Sequence, residues 1–404
     1  MKRRLSKIAT IALTGAMIVF LMVGLTACGK KDNESTGTTA KAKTKIGVLV
    51  ADASGAEALS FRSYYENYIE KNYDVDFVYS AEIGDDTTKE MEELDRLLAE
   101  NCKAIISFAS CDRPAQIEKC EESGVYYTIA TGTLSDENFE KYKSYSYFLG
   151  QVGPSTYTEY QVGYAMGSYF KSLTGDAAVK NIALYVGFPD PAHVARFSGI
   201  ITGLGMTYNG FGQSLSGMDI VGAVYGQDSG TPKLDNIQTG DSGITVSTVL
   251  SFAPGAGLDD GLNAMLNASE KPDVLLGVGM VSVFMAAQLN QRNIPYSDVD
   301  AFTAENKTNF TEGSMKYLAG KYGSSVGPNF ALVMNALDGN VIRDTDGNAV
   351  SLDQGYMVAK SLDEFNTNYE RESGDAPVYS KEVLDTIIGT NVTYQQVKDL
   401  VASK

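Results

Sequence analysis

Short runs of β-branched and other apolar residues alternate along this chain with stretches in which apolar residues recur every three or four positions. The runs are typical of buried parallel strands, and the spaced stretches are typical of amphipathic helices. Five strands are predicted before residue 153, at 46–50, 75–79, 104–108, 125–130 and 147–152. Four more are predicted later, at 182–186, 244–252, 274–278 and 299–303. The pattern predicts an α/β protein with two doubly wound parallel sheets, whose ligands gather in a cleft beyond the carboxyl ends of the strands.

Two stretches depart from this alternation. Residues 206–243 contain eight glycines and are long for a connection within a compact domain, so we interpret them as an insertion on the second unit. A short strand is expected within it, at 219–225. The tail from residue 361 is interrupted at Pro377 and ends in a predicted helix at 394–401.

The first 28 residues have the layout of an export signal. Four basic residues at positions 2–7 precede an apolar run at 8–25, and the segment ends Leu25-Thr26-Ala27-Cys28. Small residues before the cysteine resemble the bacterial lipobox, which implies cleavage after residue 27 and acylation of Cys28 at the extracytoplasmic face of the cell membrane. A transmembrane helix is the alternative. Residues 28–44 are small and polar and are interpreted as a flexible tether, with the folded part starting near Lys45.

The composition is that of an acidic, folded protein. Of 404 residues, 44% are hydrophobic, 50 are acidic and 33 are basic, so the net charge is −17. Residues 1–27 hold four of the basic residues and no acidic one, so the net charge without them is −21. We therefore expect no nucleic-acid partner. A single histidine excludes sites built from several imidazoles, and Cys102, Cys111 and Cys120 are interpreted as buried thiols, with at most one disulfide among them.

An exported lipoprotein with two successive doubly wound halves resembles the type 1 periplasmic binding proteins, the solute receptors of ABC importers, over residues 45–358. The resemblance implies two Rossmann-like lobes joined by a three-segment hinge. The N-terminal lobe is expected at 45–152 plus 326–352, with a returning helix at Gly327–Leu337. The C-terminal lobe is expected at 153–325 plus 353–404.

Two local matches carry most of the resemblance. Arg196-Phe197-Ser198-Gly199 looks like the Arg-x-x-Gly of the family, whose arginine holds a ligand oxygen. An arginine just past a strand end also offers up to five donors at the mouth of a cleft, although a surface arginine is the alternative. Asp112-Arg113 follows the third predicted strand, where sugar-binding members place an aspartate. Asp112 also suits the N-cap of the next helix, and the two roles can coexist.

The resemblance does not decide between a sugar and a nucleoside. Gly279-Met280 stand where sugar-binding members usually show Asn-Asp, and Glu305-Asn306 lie near the place of an aspartate. Without tryptophan, tyrosine and phenylalanine would have to cover an apolar ligand face. The expected ligand contacts are Asp52, Phe61, Asp112, Arg113, Gln151, Tyr157, Phe188, Arg196, Met280, Glu305 and Asn306.

The leading hypothesis is a lipid-anchored extracytoplasmic receptor that closes on a small polar molecule and presents it to an ABC permease, without covalent chemistry, cofactor or metal. A sensory receptor of the same fold that signals to a membrane partner is the alternative. A serine hydrolase is a remote one, because Gly323-Ser324-Ser325-Val326-Gly327 matches Gly-x-Ser-x-Gly but the only histidine, His193, precedes the serine. Asp344-x-Asp346-Gly347 starts like a calcium loop, but lacks its required glycine and glutamate.

Overall fold

The computed structural model of the protein describes residues 43–227, 230–373 and 377–404. The predicted signal peptide, Cys28 and the predicted tether up to residue 42 lie outside these ranges. Within them, no helix is both long and apolar enough to cross a membrane.

The strands follow the predicted alternation closely. Eight of the nine strands predicted for the two parallel sheets coincide with observed ones. In chain order they are β1 Thr44–Leu49, β2 Val75–Tyr79, β3 Ala104–Ser107, β4 Tyr126–Ala130, β5 Phe148–Gly153, β6 Asn181–Tyr185, β7 Thr207–Gly210, β8 Gln213–Leu215, β9 Ile237–Gln238, β10 Thr245–Leu250, β11 Val274–Gly277, β12 Tyr296–Val299, β13 Met315–Gly320, β14 Val350–Asp353 and β15 Met357–Ala359.

The helices fill the intervals between strands. They are α1 Ala56–Ser63, α2 Glu70–Asn72, α3 Thr87–Ala99, α4 Arg113–Ser123, α5 Asp136–Tyr142, α6 Thr156–Ser172, α7 Pro191–Gly203, α8 Asp219–Gln227, α9 Leu258–Asn267, α10 Val281–Phe284, α11 Ala286–Arg292, α12 Ala304–Thr311, α13 Gly327–Leu337, α14 Leu362–Ser373, α15 Lys381–Leu384 and α16 Tyr394–Ala402. A π-helical segment, Tyr64–Ile69, joins α1 to α2, and short 3₁₀ turns lie at Gly175–Ala177, Leu234–Asn236 and Gly323–Val326.

Two six-stranded sheets form the two lobes. The first has the order β14-β5-β4-β3-β1-β2, and all its pairs are parallel. The second has the order β10-β6-β11-β12-β13-β15, parallel except for the last pair. The predicted fold class of two doubly wound parallel sheets is confirmed.

The chain passes between the sheets three times. It leaves the first sheet after β5, returns after β13 and leaves again between β14 and β15. The returning helix α13 packs on β3, β4 and β5, and the Asn329 side chain donates to Ile129 O at 2.9 Å. This three-segment connection is the hinge that the fold class requires.

The predicted strand at 299–303 is wrong in position. The observed strand, β12, ends at Val299, and it buries Ser297 and Asp298 completely. A search for apolar runs misses a strand whose buried residues include two hydrogen-bonded polar ones. The same search left β13, β14 and β15 without a prediction.

The predicted insertion contains a small third sheet. Strands β8, β7 and β9 pair antiparallel in that order within residues 206–243. The strand expected at 219–225 is instead helix α8, whose buried Ile220, Ala223 and Val224 recur at helical spacing and pack into the second lobe's core.

The tail divides between the lobes, which differs from the expected assignment of 353–404 to the second lobe. Phe365 of α14 packs in a core cluster with second-sheet residues. By contrast, Leu384, Val397 and Val401 belong to the core cluster of the first sheet. The Asn335 side chain of α13 also donates to Ile387 O at 2.7 Å. We propose lobes at 43–153 with 326–353 and 377–404, and at 154–325 with 357–373. With this division the tail adds a fourth passage between the lobes, after α14, to the three that connect the sheets.

The first two helices of the second lobe, α6 and α7, touch through their backbones. A Cβ atom on Gly163 would lie 1.9 Å from Arg196 O, and one on Gly199 would lie 2.0 Å from Tyr160 O. Both distances are far below van der Waals contact, so glycine at these positions sets the spacing of the two helices.

Gly163→Ala should lower the free energy of unfolding by about 3 kcal/mol, because the added methyl group must push two helix backbones apart. Gly222→Ala is the matched control: Gly222 is also helical, but nothing lies within 4 Å of its added Cβ. That variant should be unchanged or more stable by up to about 1 kcal/mol. Urea unfolding of both variants measures the difference, and equal stabilities would contradict the close packing.

Candidate functional site: the cleft between the lobes

A cavity of about 270 Å³ lies where the two lobes face each other. The first lobe contributes the loop after β1 and the start of α1, and the second contributes residues that directly follow β11, β12 and β13. Carboxyl strand ends are where doubly wound sheets place their ligands. The polar side chains of the lining are those of Asp52, Glu57, His193, Arg196, Asp300, Lys321 and Tyr356, and Met280 is an apolar lining residue.

A second cavity of about 180 Å³ adjoins the cleft on the first lobe and shares Asp52 and Glu57 with it. Its walls are aromatic: the rings of Phe61 and Phe108 stack with centroids 5.4 Å apart. Such a surface suits an apolar face of a ligand whose polar groups occupy the cleft.

Arg196 lies in the cleft wall and is bound mainly by the protein itself. Its guanidinium donates to both carboxylate oxygens of Glu159, at 2.6 and 3.0 Å, and to Val278 O at 2.7 Å. It also donates to the Tyr356 hydroxyl, at 2.8 Å. Four of its five N–H groups are thus used within the described protein, and one on Nη1 remains for a ligand.

The environment of Arg196 keeps it charged. Burial acts to lower the pKa of Arg196, but the negative charge of Glu159 outweighs this and raises the pKa. The side chains of Arg196 and Glu159 are only 11% and 6% exposed. The pair therefore joins α6, α7, the end of β11 and the crossing residue Tyr356 on the cleft wall.

Asp300 directly follows β12 and turns its carboxylate toward the cleft. Its Oδ1 accepts from Ala301 N at 2.7 Å, and its Oδ2 accepts from the Asn306 amide at 3.1 Å. Asn306 itself is 2% exposed, so it positions Asp300. Glu305 lines a separate groove with Ser282 and Thr308. The carboxylate that lines the cleft in this region is that of Asp300. The sequence analysis missed it because the predicted strand at 299–303 included this residue.

Asp298 lies behind Asp300 as a second, fully buried carboxyl group. It accepts from the Ser282 backbone N–H and hydroxyl, both at 2.7 Å. Burial, followed by the neighbouring charge of Asp300, raises the pKa of Asp298 to about 7. Burial also raises the pKa of Asp300, and the charge of Glu57 from the other lobe adds to that rise.

Lys321 was missed because its strand, β13, was not predicted. It follows that strand directly, is 8% exposed and lines the cleft. Its ammonium lies 5.2 Å from the centre of the Tyr356 ring, a cation–π contact. Within the described residues no hydrogen bond or ion pair holds the ammonium, so its donors are available to a ligand.

Two residues that line these cavities hold the left-handed backbone conformation that non-glycine residues seldom adopt. Met280, after β11, has φ 62° and lines the cleft. Thr131, after β4, has φ 58° and lines the aromatic cavity. Such strain collects at functional sites, because the surrounding structure must hold it in place.

Three predicted contacts are held by first-lobe partners. Asp112 is the N-cap of α4 and accepts from Ala115 N at 3.0 Å. Arg113 donates to Thr133 O at 2.9 Å, and burial lowers its pKa. Gln151 is 4% exposed and donates to the Ser351 hydroxyl at 2.9 Å. The observed contact of Asp112 is therefore that of a helix N-cap, one of the two roles predicted for it.

The remaining predicted contacts are aromatic. Phe188 stacks on His193 with centroids 6.0 Å apart, next to the cleft wall. Tyr157 is 60% exposed and stacks on Tyr160 along the outside of α6. The structure thus brings Asp52, Arg196 and Met280 together in the cleft, with Phe61 in the adjoining cavity.

The hydrolase alternative finds no geometry in its favour. Ser325 is 2% exposed, and its hydroxyl has no hydrogen-bond partner among the described residues. His193, the single histidine of the chain, lies instead beside Asp190, with Nδ1 and Oδ2 2.6 Å apart. Across the described ranges, no group of three or more metal-binding side chains is present.

The three remaining cysteines are unpaired in the structure. Cys102 and Cys120 are buried as predicted, whereas Cys111 is half-buried. Burial, in each case the largest cause, raises the pKa of the Cys102 and Cys111 thiols to about 11. These thiols are therefore poor nucleophiles at neutral pH.

Solved structures share this architecture. A solute-binding protein of an ABC transporter from Bacillus halodurans C-125, with bound myo-inositol, matches with TM-score 0.53 and 14% identity, over 82% of this chain and 100% of that one. The periplasmic component of the arabinose ABC transporter from Shewanella sp. ANA-3, bound to α- and β-L-arabinofuranose, matches with TM-score 0.54 and 12% identity, over 82% and 96%.

A twin-arginine translocation pathway signal protein from Burkholderia phytofirmans matches with TM-score 0.56 and 11% identity, over 83% of this chain and 94% of that one. No protein-family model and no curated protein matches the chain. At these identities the similarity establishes the fold. The chain has the two-lobed fold of type 1 periplasmic binding proteins, as the sequence resemblance implied.

Glu159→Gln should lower the free energy of unfolding by about 3–5 kcal/mol, because it leaves the buried Arg196 charge without its counter-ion. Glu66→Gln is the control, since Glu66 pairs with Arg62 at the surface. That variant should lose less than about 1 kcal/mol. Urea unfolding measures both, and a small loss in Glu159→Gln would mean that the pair does not hold the cleft wall.

Asp298→Asn should gain stability over the native protein as pH rises from about 4 to about 8. The raised pKa of Asp298 means that the folded protein favours the protonated carboxyl, so ionisation costs stability between its ordinary pKa of 3.8 and about 7. Asparagine does not ionise and still accepts from Ser282. Melting temperatures across this pH range provide the measurement, and parallel profiles for the two proteins would refute the assignment.

Proposed function

We propose that this protein is an extracytoplasmic, lipid-anchored solute-binding protein that captures a small polar molecule between its lobes for an ABC importer. One observation carries the proposal: the carboxyl ends of two parallel sheets face each other across a cavity lined by polar side chains from both lobes. No chemistry beyond binding is required of these residues.

Binding works by a shift between open and closed arrangements of the lobes. A ligand that contacts both lobes only when they are closed favours that state by its difference in affinity for the two states. Glu57 on one side and Asp300 and Lys321 on the other are placed to make such bridging contacts.

Hydrogen bonds connect the three chain crossings that join the two sheets. Asp353, at the end of β14, accepts from Ser155 N at 2.8 Å and from the Thr158 hydroxyl at 2.7 Å. The adjacent Gln354 donates to Ser325 O, in the second crossing, at 2.9 Å. These bonds favour movement of each lobe as a rigid body.

The ligand is a hydroxyl-bearing molecule of sugar size, a sugar or a nucleoside. Carboxylates such as Asp300 accept hydrogen bonds from hydroxyl groups, and the ammonium of Lys321 and the free N–H of Arg196 donate to ligand oxygens. The Phe61 and Phe108 rings cover an apolar face. The neighbouring structures solved with myo-inositol and arabinofuranose support this size and chemistry.

The location follows from the start of the chain. The signal-like segment and the lipobox resemblance at Leu25–Cys28 support export, cleavage and acylation of Cys28. The anchor then holds the acidic body at the outer face of the membrane, where a permease can receive the ligand.

A melting screen that begins with myo-inositol, L-arabinose and uridine tests the function on the protein from Lys43 onward. A ligand at 100 times its Kd should stabilise the protein by about 2.7 kcal/mol and reduce its radius of gyration in small-angle scattering. Lys321→Met should weaken that ligand about 10- to 100-fold, since a hydrogen bond to a charged group is lost.

Lys316→Met is the control for Lys321→Met, because Lys316 is exposed at the other end of the same strand. Its affinity for the ligand should equal that of the native protein. Binding without a change in radius of gyration would contradict closure, and equal affinities of the two variants would remove Lys321 from the site.

A further inference from the structure

The carboxylates of the cleft outnumber the positive charges available to balance them. Glu57, in the first turn of α1, and Asp300 line the cleft from opposite lobes. Neither side chain forms an ion pair within the described residues. The two groups are close enough that the charge of Glu57 contributes to the raised pKa of Asp300.

The other charged groups of the cleft already have partners within the protein. Arg196 is neutralised by Glu159, and His193 lies against Asp190. Asp52 is held by its own loop, because its Oδ1 accepts from Ser54 N at 2.8 Å and from Gly55 N at 3.0 Å, but these bonds leave its negative charge in place. Glu57 and Asp300 therefore face only one unpaired cation, Lys321.

Lys321 is an independent sign of a ligand at this place. It is more than nine-tenths buried, lines the cleft and has no hydrogen bond in the part of the chain described. Because its donors are free, a ligand hydroxyl oxygen in the cleft can accept a hydrogen bond from the ammonium. Closing the lobes around a neutral ligand would still leave at least one carboxylate in excess and shielded from water, which is costly.

We propose that the ligand is a hydroxylated amine with one net positive charge, whose ammonium lies between Glu57 and Asp300 while a hydroxyl oxygen accepts from Lys321. This inference rests on the proposed function and narrows its ligand class. Anionic ligands would add to the excess of negative charge. Zwitterionic amino acids would leave that excess unchanged, so net-cationic amino sugars and amino alcohols fit the charge count best.

The experiment compares matched ligands by calorimetric titration at pH 7. Glucosamine, galactosamine and mannosamine are each paired with the parent hexose and with the N-acetylated sugar, which keeps the bulk and loses the charge. Glycine and glucuronate represent zwitterions and anions. At least one amine should bind ten-fold or more tightly than its parent hexose, its acetylated form, glycine and glucuronate.

Glu57→Gln and Asp300→Asn should each reduce the preference for the amine to less than three-fold, with melting temperatures of the free variants confirming that they fold. Glu137→Gln is the matched control, because Glu137 is an exposed residue in the first turn of α5. It should leave the preference unchanged.

The outcomes separate this inference from the function on which it rests. If a hexose, an acetylated sugar, glycine or glucuronate binds as tightly as the amines, the proposal of a cationic amine ligand is refuted, and the proposed solute-binding function stands. An amine preference that survives in both Glu57→Gln and Asp300→Asn refutes the placement of the ammonium. If none of these molecules, nor any in the melting screen, binds, the inference and the proposed function both fail.

Discussion

The cleft depends on one buried ion pair. Arg196 of α7 and Glu159 of α6 meet beneath the cleft wall, and Arg196 also bonds the end of β11 and Tyr356 of the third crossing. A buried arginine without this counter-ion would be expensive, so the helices, the strand end and the crossing must keep their arrangement together. The glycines that let α6 and α7 touch make this geometry accessible.

Because most donors of Arg196 bind acceptors of the protein itself, most ligand contacts must come from neighbouring residues. Asp300 and Lys321 directly follow adjacent parallel strands, β12 and β13, so their side chains emerge at the same edge of the sheet. Glu57 approaches from the other lobe. The cleft is thus built on strand ends and on charged side chains from both lobes. This makes the electrostatics of closure as important for ligand choice as the shape of the cavity.

Prediction from the sequence succeeded where burial is apolar and failed where it is polar. The run before Gly279 revealed β11, and Arg196 was found from a motif next to a strand end. By contrast, the polar residues Ser297 and Asp298 made β12 unrecognisable as an apolar run, so its end was predicted too late in the chain. The expected ligand contacts after it were therefore Glu305 and Asn306 instead of Asp300. Lys321 was missed with β13. For Asp112, an acidic residue before a proline suits both a helix cap and a ligand contact, so the sequence left both readings open.

What the sequence determined by itself was the fold class, because alternating strand and helix periodicity reports which faces must be buried, and this holds for each segment separately. It also determined the acidic net charge, which is a sum over the chain. The tertiary structure alone decided which charges are free. Arg196 is neutralised by a residue 37 positions away, and Asp300 faces Glu57 from the other lobe, because pairing depends on distances in space that no local pattern encodes.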